Sequence, residues 1–552
     1  MTDTKNTIKK NGYVFLSALL VGVLINSQPL FFSTDATDSL RAYGSTQAQE
    51  SSGRFIGHIL DLVMERMGFY QPFRFINVLI YLVFLAASAA LVVMILDIGR
   101  RCLALSAAAV LVSCAMNSGI LAYYYVCHMY GFSLFLSVLA CFLLLKKRAV
   151  LAPVFLLVLS LGIYQAFFPT VLLLIFLHEL TRLMDEKTEI KEWFLTVFRY
   201  MAAVLAALVM YILLNRLYLS LAGVSMSGYL GMSENVIPSY TPAMILDYIG
   251  QSFRFLAQLP FTDRYFLSDN GIMQLSLGIC IGLTLLIMVR ELAKAGTGLR
   301  KGLLLLLFLA LPCFINLPML MQGTVGERFS LNWYFILIVP LVWMDRICPD
   351  AGTVPDVLEF LTGAAESKAS RRWKIACGLL CTAVLFGAAY SAYRNVNIYT
   401  SYAKTHEIAE HVVLDVENRF ADCEDYGVGD EILFVGSLDA RTINDAFFNI
   451  EYQEYLSKVF NRDHSSIFRR YGLHNHRIIT PEDDRVLKFS LGDFGALEEE
   501  DIRRLPYFCV TGLRDDFPVI HSGSEEIRSM PSYPDAGCVR KIDGILVCKF
   551  SD

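Results

Sequence analysis

Long apolar runs follow one another along this chain with only short polar connections between them. That alternation limits what the chain can fold into more than any single motif does. A helix needs about 20 apolar residues to cross the hydrocarbon of a bilayer. Runs of that order fall near residues 13–32, 73–97, 102–119, 128–145, 149–166, 168–184, 197–219, 271–290, 303–320, 331–347 and 374–393. The pattern predicts a polytopic α-helical membrane protein with about eleven spans, or about ten if the turn at Phe168-Pro169 only breaks one long helix. A hydrophobic content of 55% with 18% charged residues belongs to that class and not to soluble proteins.

Positive charge orients the spans, because cytoplasmic loops collect Lys and Arg. Lys5, Lys9 and Lys10 precede the first run, and every second loop after it is basic. These loops carry Arg100-Arg101, Lys146-Lys147-Arg148, Arg182 with Lys187 and Lys191, then Arg290, Lys294, Arg300 and Lys301, and finally Lys368, Arg371 and Arg372. The N-terminus is therefore expected in the cytoplasm. The first run imitates a signal peptide but is too long for one, and no small-residue cleavage site follows it, so an uncleaved helix is expected. An odd number of spans places the C-terminal part outside. Residues 401–552 carry 17 Lys+Arg and 29 Asp+Glu, a net of −12, while the rest of the chain is +7. Such a split marks the tail as a separate, water-facing domain.

The expected domains are a transmembrane region, 1–393, with long outer loops at 33–72 and 220–270, and a tail, 394–552. "GRFIGHILDLVMERMGFYQPF" and "YTPAMILDYIGQSFRFLAQLPF" in those loops have the periodicity of helices lying along the membrane interface. In the tail, "EILFVGS", "RVLKFS", "YFCVTG" and "GILVCKFS" are β-type runs, with a helical stretch from Asp439, so a small α/β domain is expected. No glycine-rich nucleotide fingerprint follows Glu431, and His474 and His476 fit an exposed loop better than a metal site. Cysteines such as Cys114, Cys141 and Cys280 sit in apolar runs as small hydrophobes, whereas Cys423, Cys509, Cys538 and Cys548 in the tail could pair in an oxidising compartment.

The chemistry-bearing residues gather where the spans meet the outer surface. "FFSTDATDSLRAYG" sets Asp35 and Asp38 on one face if helical. A half-desolvated carboxylate there can act as a general base, although an N-cap with a first-turn acid is an equal reading. Arg41 and Arg54 flank the acids, Arg254 lies in the second long loop, and Arg328 lies in "QGTVGERFSLNW". Guanidiniums at headgroup level suit a lipid-linked phosphate, and ordinary headgroup contact explains many of them equally well. Glu327, beside Arg328, is a candidate acceptor contact. Tyr164 and Gln165 in "LGIYQAFFP" could stack on and hydrogen-bond a sugar or could form an aromatic belt. His128 in "YYYVCHMYGF" is a further polar candidate, and a structural histidine is the commoner case.

The acidic first loop followed by "SGRFIGHIL", then "LSLGIYQAFF", then the ending "MPSYPDAGCVRKIDGILVCKF" resembles the bacterial GtrII-type glucosyltransferases along essentially the whole chain. The resemblance implies a GT-C-like fold with an extracytoplasmic C-terminal α/β domain, in the bacterial cytoplasmic membrane. It implies transfer of a hexose, glucose by the family's name, from an undecaprenyl-phosphate carrier to a cell-surface glycan such as O-antigen or a wall polymer. Partners implied with it are a flippase and a polyprenyl-phosphate glucose synthase, with no nucleic acid. On this reading Asp35 or Asp38 is the base, and Arg41, Arg54, Arg254 and Arg328 hold the donor phosphate. Family members often have adjacent acids where this chain has Asp-x-x-Asp. The small molecule implied is the polyprenyl-phosphate sugar donor; a divalent metal stays open, with no residue pattern that supports one. A lipid-linked-glycan flippase or transporter, and a surface-glycan polymerase or ligase, are the rival readings.

Overall fold

The computed structural model describes the chain apart from residues 1, 32–50, 70–72, 227–240, 263–266, 268–269, 297, 323–325, 348–367, 428, 438–475, 482, 512–518 and 552. The chain divides into two compact units, which part between Ile398 and Tyr399.

The first unit is helical: α1 (Thr2–Ile25), α2 (Phe55–Arg66), α3 (Arg74–Ile95), α4 (Arg101–Ser113), α5 (Met116–Leu121), α6 (Cys127–Lys146) and α7 (Leu151–Ile163). There follow α8 (Phe168–Leu183), α9 (Ile190–Ala222), α10 (Pro242–Gln258), α11 (Gly271–Lys294), α12 (Gly298–Ile315), α13 (Phe335–Ile347) and the start of α14 (Lys368–Ala421). Among the described residues eight helices are long and apolar enough to cross a membrane, and Asn11–Ile25 and Leu151–Ile163 are shorter apolar helices. Helix is what lipid demands, since each backbone N–H and C=O must find its partner within the segment. The spans Arg101–Leu121, Cys127–Lys146 and Gln165–Leu183 are largely buried, while α9, α11 and α12 turn most of their surface outward.

Two sets of contacts define the ends of this bundle. At one end Arg100 pairs with Asp345 at 3.0 Å and Lys146 with Asp97 at 2.5 Å. Arg199 there donates to the Arg148 carbonyl, Arg300 to the carbonyls of Asp185 and Thr188, and Arg346 to that of Thr181. At the other end Gln165 meets Ser52, Gly53 and Tyr211, Tyr130 stacks on Tyr164, and Arg394 meets Glu327. Helices α6, α7, α8, α9 and α13 each join a residue of the basic set to one of the aromatic set, so they run in alternating directions.

Two interruptions shape the aromatic end. Helix α7 stops at Ile163, Tyr164 is extended, and Gln165–Phe167 form a single 3₁₀ turn before α8, which has proline in its first turn. The exposed carbonyls are taken up from α6, where Ser133 Oγ donates within 3.0 Å of Ser160 O and 3.1 Å of Tyr164 O. The span expected at 102–119 is likewise broken, between α4 and α5. Asn117 Nδ2 reaches the carbonyls of Leu111 and Val112, and Asn395 Nδ2 those of Ser113 and Cys114. Helices form at both stretches expected to lie along the interface, α2 and α10, each with one buried stripe, Phe55/Gly57/His58/Asp61 and Tyr248/Ser252/Phe255.

In the second unit, α14 runs on past the expected boundary at 394 to Ala421. Its apolar residues Ile408, Val412, Val413, Val416 and Phe420 recur at helical spacing and pack against a sheet. The strands are β1 (Glu431–Val435), β2 (Arg477–Ile478), β3 (Val486–Ser490), β4 (Tyr507–Thr511), β5 (Ile520–His521), β6 (Val539–Ile542) and β7 (Ile545–Lys549). They form a four-stranded sheet in the order β2-β1-β7-β6 and a three-stranded sheet β3-β4-β5, each mixing parallel and antiparallel pairs. All four β-type runs read from the sequence are strands. The helical stretch expected from Asp439 lies outside the described residues, as does His474. His476 is held by Tyr426 Oη and by the Asp430 carbonyl, each at 2.9 Å.

Candidate functional site

The aromatic end of the bundle gathers two arginines on a shared set of rings. Arg54 lies at the start of α2, with its guanidinium 4.9 Å from the centre of the Tyr164 ring and 5.8 Å from that of Tyr130. The two tyrosines stack at 3.9 Å and 14°, and Phe329 continues the series at 6.2 Å from Tyr164. Arg328 lies over Phe329 at 5.6 Å and over Tyr123 at 4.7 Å. The two cations thus sit on one continuous run of aromatic rings, whose negative faces favour a guanidinium.

Each arginine is held from behind. Arg54 donates through Nη1 to Tyr130 Oη at 3.0 Å, while its Nε is buried with no hydrogen-bond partner among the described residues. Its position is fixed one residue earlier. Gly53 has φ of +77°, and its carbonyl accepts from Gln165 Nε2 at 2.9 Å and from Tyr211 Oη at 3.0 Å. A Cβ at this position would stand 2.7 Å from Tyr211 Oη, so glycine serves both the backbone angle and the close approach. Arg328 belongs to a 3₁₀ segment, Glu327–Tyr334, that lies tight against α5. There a Cβ on Gly119 would come within 2.8 Å of the Arg328 backbone nitrogen. The neighbouring carboxylate is engaged already, since Glu327 Oε1 accepts from Arg394 Nη2 at 2.9 Å.

The other expected site residues fall as follows. Gln165 donates its amide to the carbonyls of Ser52 and Gly53 and to Tyr211, so it ties the first loop to α9. Tyr164 is 1% exposed, and its ring supports Arg54 in place of the open stacking face expected for a sugar. His128 is half-buried in the first turn of α6, between the buried Cys127 and Met129. Arg254 is exposed on α10. Asp35, Asp38 and Arg41 lie outside the described residues. Sequence reasoning did not single out Tyr130, Tyr211, Gly53, Gly119 or Arg394. Their signals are distant partners, from Tyr164 at 34 positions from Tyr130 to Arg328 at 209 positions from Gly119, which periodicity does not report. Among the described residues no three His, Cys, Asp or Glu side chains gather as a metal site would need.

The family model described as Glucosyl transferase GtrII matches residues 29–344, more than half of the chain and all the residues of this cluster except Arg394. The chain belongs to the GtrII glucosyl transferase family. No curated protein and no solved structure matches it. Glucosyl transfer is thereby its activity class, and its membrane-length helices agree with an enzyme that works in a membrane. Within this GtrII transferase the matched segment opens at Pro29, runs through both arginines and ends in α13.

Proposed function

We propose that this GtrII transferase moves a hexose, glucose in the first instance, from an undecaprenyl-phosphate carrier to a cell-surface glycan such as O-antigen or a wall polymer. The observation that carries the proposal is the pairing of Arg54 and Arg328 on one aromatic run, with the adjacent Glu327 already engaged by Arg394. Two like charges brought together on one run of rings favour an anion, and planar guanidiniums grip phosphate oxygens two at a time.

The donor carries its own leaving group, so no nucleotide is required. As the sugar–phosphate bond breaks, negative charge grows on the departing phosphate, and Arg54 and Arg328 stabilise it where it develops. Asp35 or Asp38 accepts the proton of the attacking acceptor hydroxyl, which is direct displacement with inversion at the anomeric carbon. The polyprenyl chain reaches the site sideways from the bilayer, which accounts for a phosphate site at the membrane surface. Eleven spans are proposed: the eight long helices, the shorter α1 and α7, and α13. The basic end of the bundle then faces the cytoplasm and the aromatic end faces out, with the second unit outside.

The test is transfer in purified membranes from synthetic undecaprenyl-phospho-hexoses to the host's own surface glycan. Wild type is expected to use the glucosyl donor and to yield the inverted linkage. Absence of transfer from every donor, in protein that is folded and abundant, would move the reading to a lipid-linked-glycan flippase.

A further inference from the structure

The second unit holds a pair of thiols that the glycosyl-transfer reading does not use. Cys538 and Cys548 are both completely buried, in the core that α14 forms with the four-stranded sheet. Cys548 lies on the central strand β7, directly across from Val539 on β6. Cα atoms facing each other across an antiparallel pair are about 4.5–5.5 Å apart and successive residues about 3.4 Å, so Cys538, diagonal to Cys548, falls about 6 Å from it, inside the range of about 4.4–6.8 Å that disulfides bridge. Cys538 precedes Val539 by one residue and closes the turn from Asp535, its amide 3.3 Å from the Asp535 carbonyl. Its own carbonyl accepts from Lys549 N at 2.9 Å, which locks it beside the strand carrying Cys548. The two side chains lie in the same buried cluster.

The remaining tail cysteines are placed otherwise. Cys509 belongs to a different core, under Val435, Ile479 and Val547. Cys423 is half-buried at the edge of the first core, its thiol 3.5 Å from the Arg419 carbonyl. Arg419 also brings its Nη1 to 3.4 Å from Cys538 Sγ, with Asp415 on its other side. The neighbouring Cys548 thiol, with Arg419 beside it, brings the Cys538 thiol down to about 7 against the opposing effects of burial and Asp415. Burial and the neighbouring Cys538 push Cys548 well up. One sulfur is thus prepared to ionise and its neighbour to follow, the asymmetry that thiol–disulfide exchange uses.

We propose that Cys538 and Cys548 are a disulfide-forming pair that closes β6 onto β7 once the second unit reaches an oxidising compartment. The cellular part of this inference rests on the proposed location of that unit outside the cytoplasm. The oxidant is a disulfide, RSSR, of the glutathione or protein-oxidase class. The Cys538 thiolate attacks one of its sulfurs and expels RS⁻, leaving a mixed disulfide on Cys538. Cys548 then loses its proton to the released thiolate, attacks Cys538 Sγ and expels the second RS⁻. Two thiols have lost two electrons, and one disulfide has become two thiols.

The experiment uses the purified full chain in detergent. It is reduced, freed of reductant, incubated with oxidised glutathione, denatured, alkylated with N-ethylmaleimide and digested with trypsin, which cuts between the pair after Arg540 and Lys541. The expected product is a peptide pair joined through Cys538 and Cys548, with Cys423 and Cys509 alkylated. Cys538→Ser and Cys548→Ser should each abolish it, and Cys423→Ser should leave it. Alkylation of all four cysteines, or a bond that includes Cys423 or Cys509, overturns the proposal. Glutathione is supplied and no sugar transfer is read, so neither the orientation of the tail nor the identity of the donor affects the result.

Discussion

Replacing Gly53 by alanine tests whether the positioning of Arg54 matters to the reaction. The residue lies at φ +77°, a left-handed conformation that costs an L side chain about 1–2 kcal/mol. The added methyl would stand 2.7 Å from Tyr211 Oη and 3.1 Å from Gln165 Nε2, the two groups that bond the Gly53 carbonyl. Displacing one or both of those bonds adds about 1 kcal/mol each, for a total of about 2–4 kcal/mol. The strain is delivered one residue from Arg54, so the guanidinium shifts off the Tyr164 ring. A misplacement of about 1 Å in a positioning group can cost about 10²-fold in rate. Gly223→Ala is the control: φ is +69° there, but nothing lies within 4 Å of the added methyl. Both variants should melt lower in detergent, and Gly53→Ala should also lose transfer at a protein level where Gly223→Ala keeps it. Equal transfer by the two variants would refute the argument that Gly53, Gln165 and Tyr211 hold the arginine in place.

Three further outcomes are expected. Of Asp35→Asn and Asp38→Asn, one should abolish transfer at normal protein level; full activity in both would mean that this stretch is only a helix start. Ser133→Ala removes the donor to the Ser160 and Tyr164 carbonyls, and it should lower the melting temperature by an amount corresponding to about 1–3 kcal/mol, as for a buried acceptor left unsatisfied. In the second unit, the Arg485 guanidinium beside Asp483 and Glu431 holds both carboxyls below their usual range, so their stabilisation is complete above about pH 4.5 and is lost as pH falls further. Burial lowers His521 below 6.5, so protonating it favours unfolding and some stability is already lost as pH falls through 6.5. Proteolysis of the tail from pH 7 to 3 should therefore rise in two stages, and Arg485→Ala should remove the lower one.

How much of this was legible in the sequence follows from which interactions are local. The apolar runs gave the helices, because length and hydropathy alone decide what can lie in lipid. The helices α2 and α10 and four of the strands were readable for the same reason, since their periodicity lies within a dozen or so residues. The breaks were not. The turn expected at Phe168-Pro169 begins at Tyr164, where Ser133 of α6 donates to the open carbonyls. The apolar run 102–119 conceals an interruption made tolerable by Asn395, 282 positions from the carbonyl of Ser113. The continuation of α14 to Ala421 was in principle visible as an apolar stripe, but it was masked by the charged residues on its other faces. At the site, Arg54 and Arg328 stand out in the sequence as charges beside apolar runs, and the structure sets both on one run of rings. The rings that carry them were read as an aromatic belt or a sugar platform, since stacking partners distant in sequence leave no mark on it.

The central claim is that Arg54 and Arg328 together receive the phosphate of a polyprenyl-linked glucosyl donor. Its most direct test is the rate of transfer from undecaprenyl-phospho-glucose in membranes holding equal amounts of wild type, Arg54→Gln and Arg328→Gln. Removing one group that stabilises developing charge typically costs about 10²–10³-fold. A loss of that order in each variant, with the folded protein still present, is the result the account predicts. Transfer at the wild-type rate by either variant would contradict it.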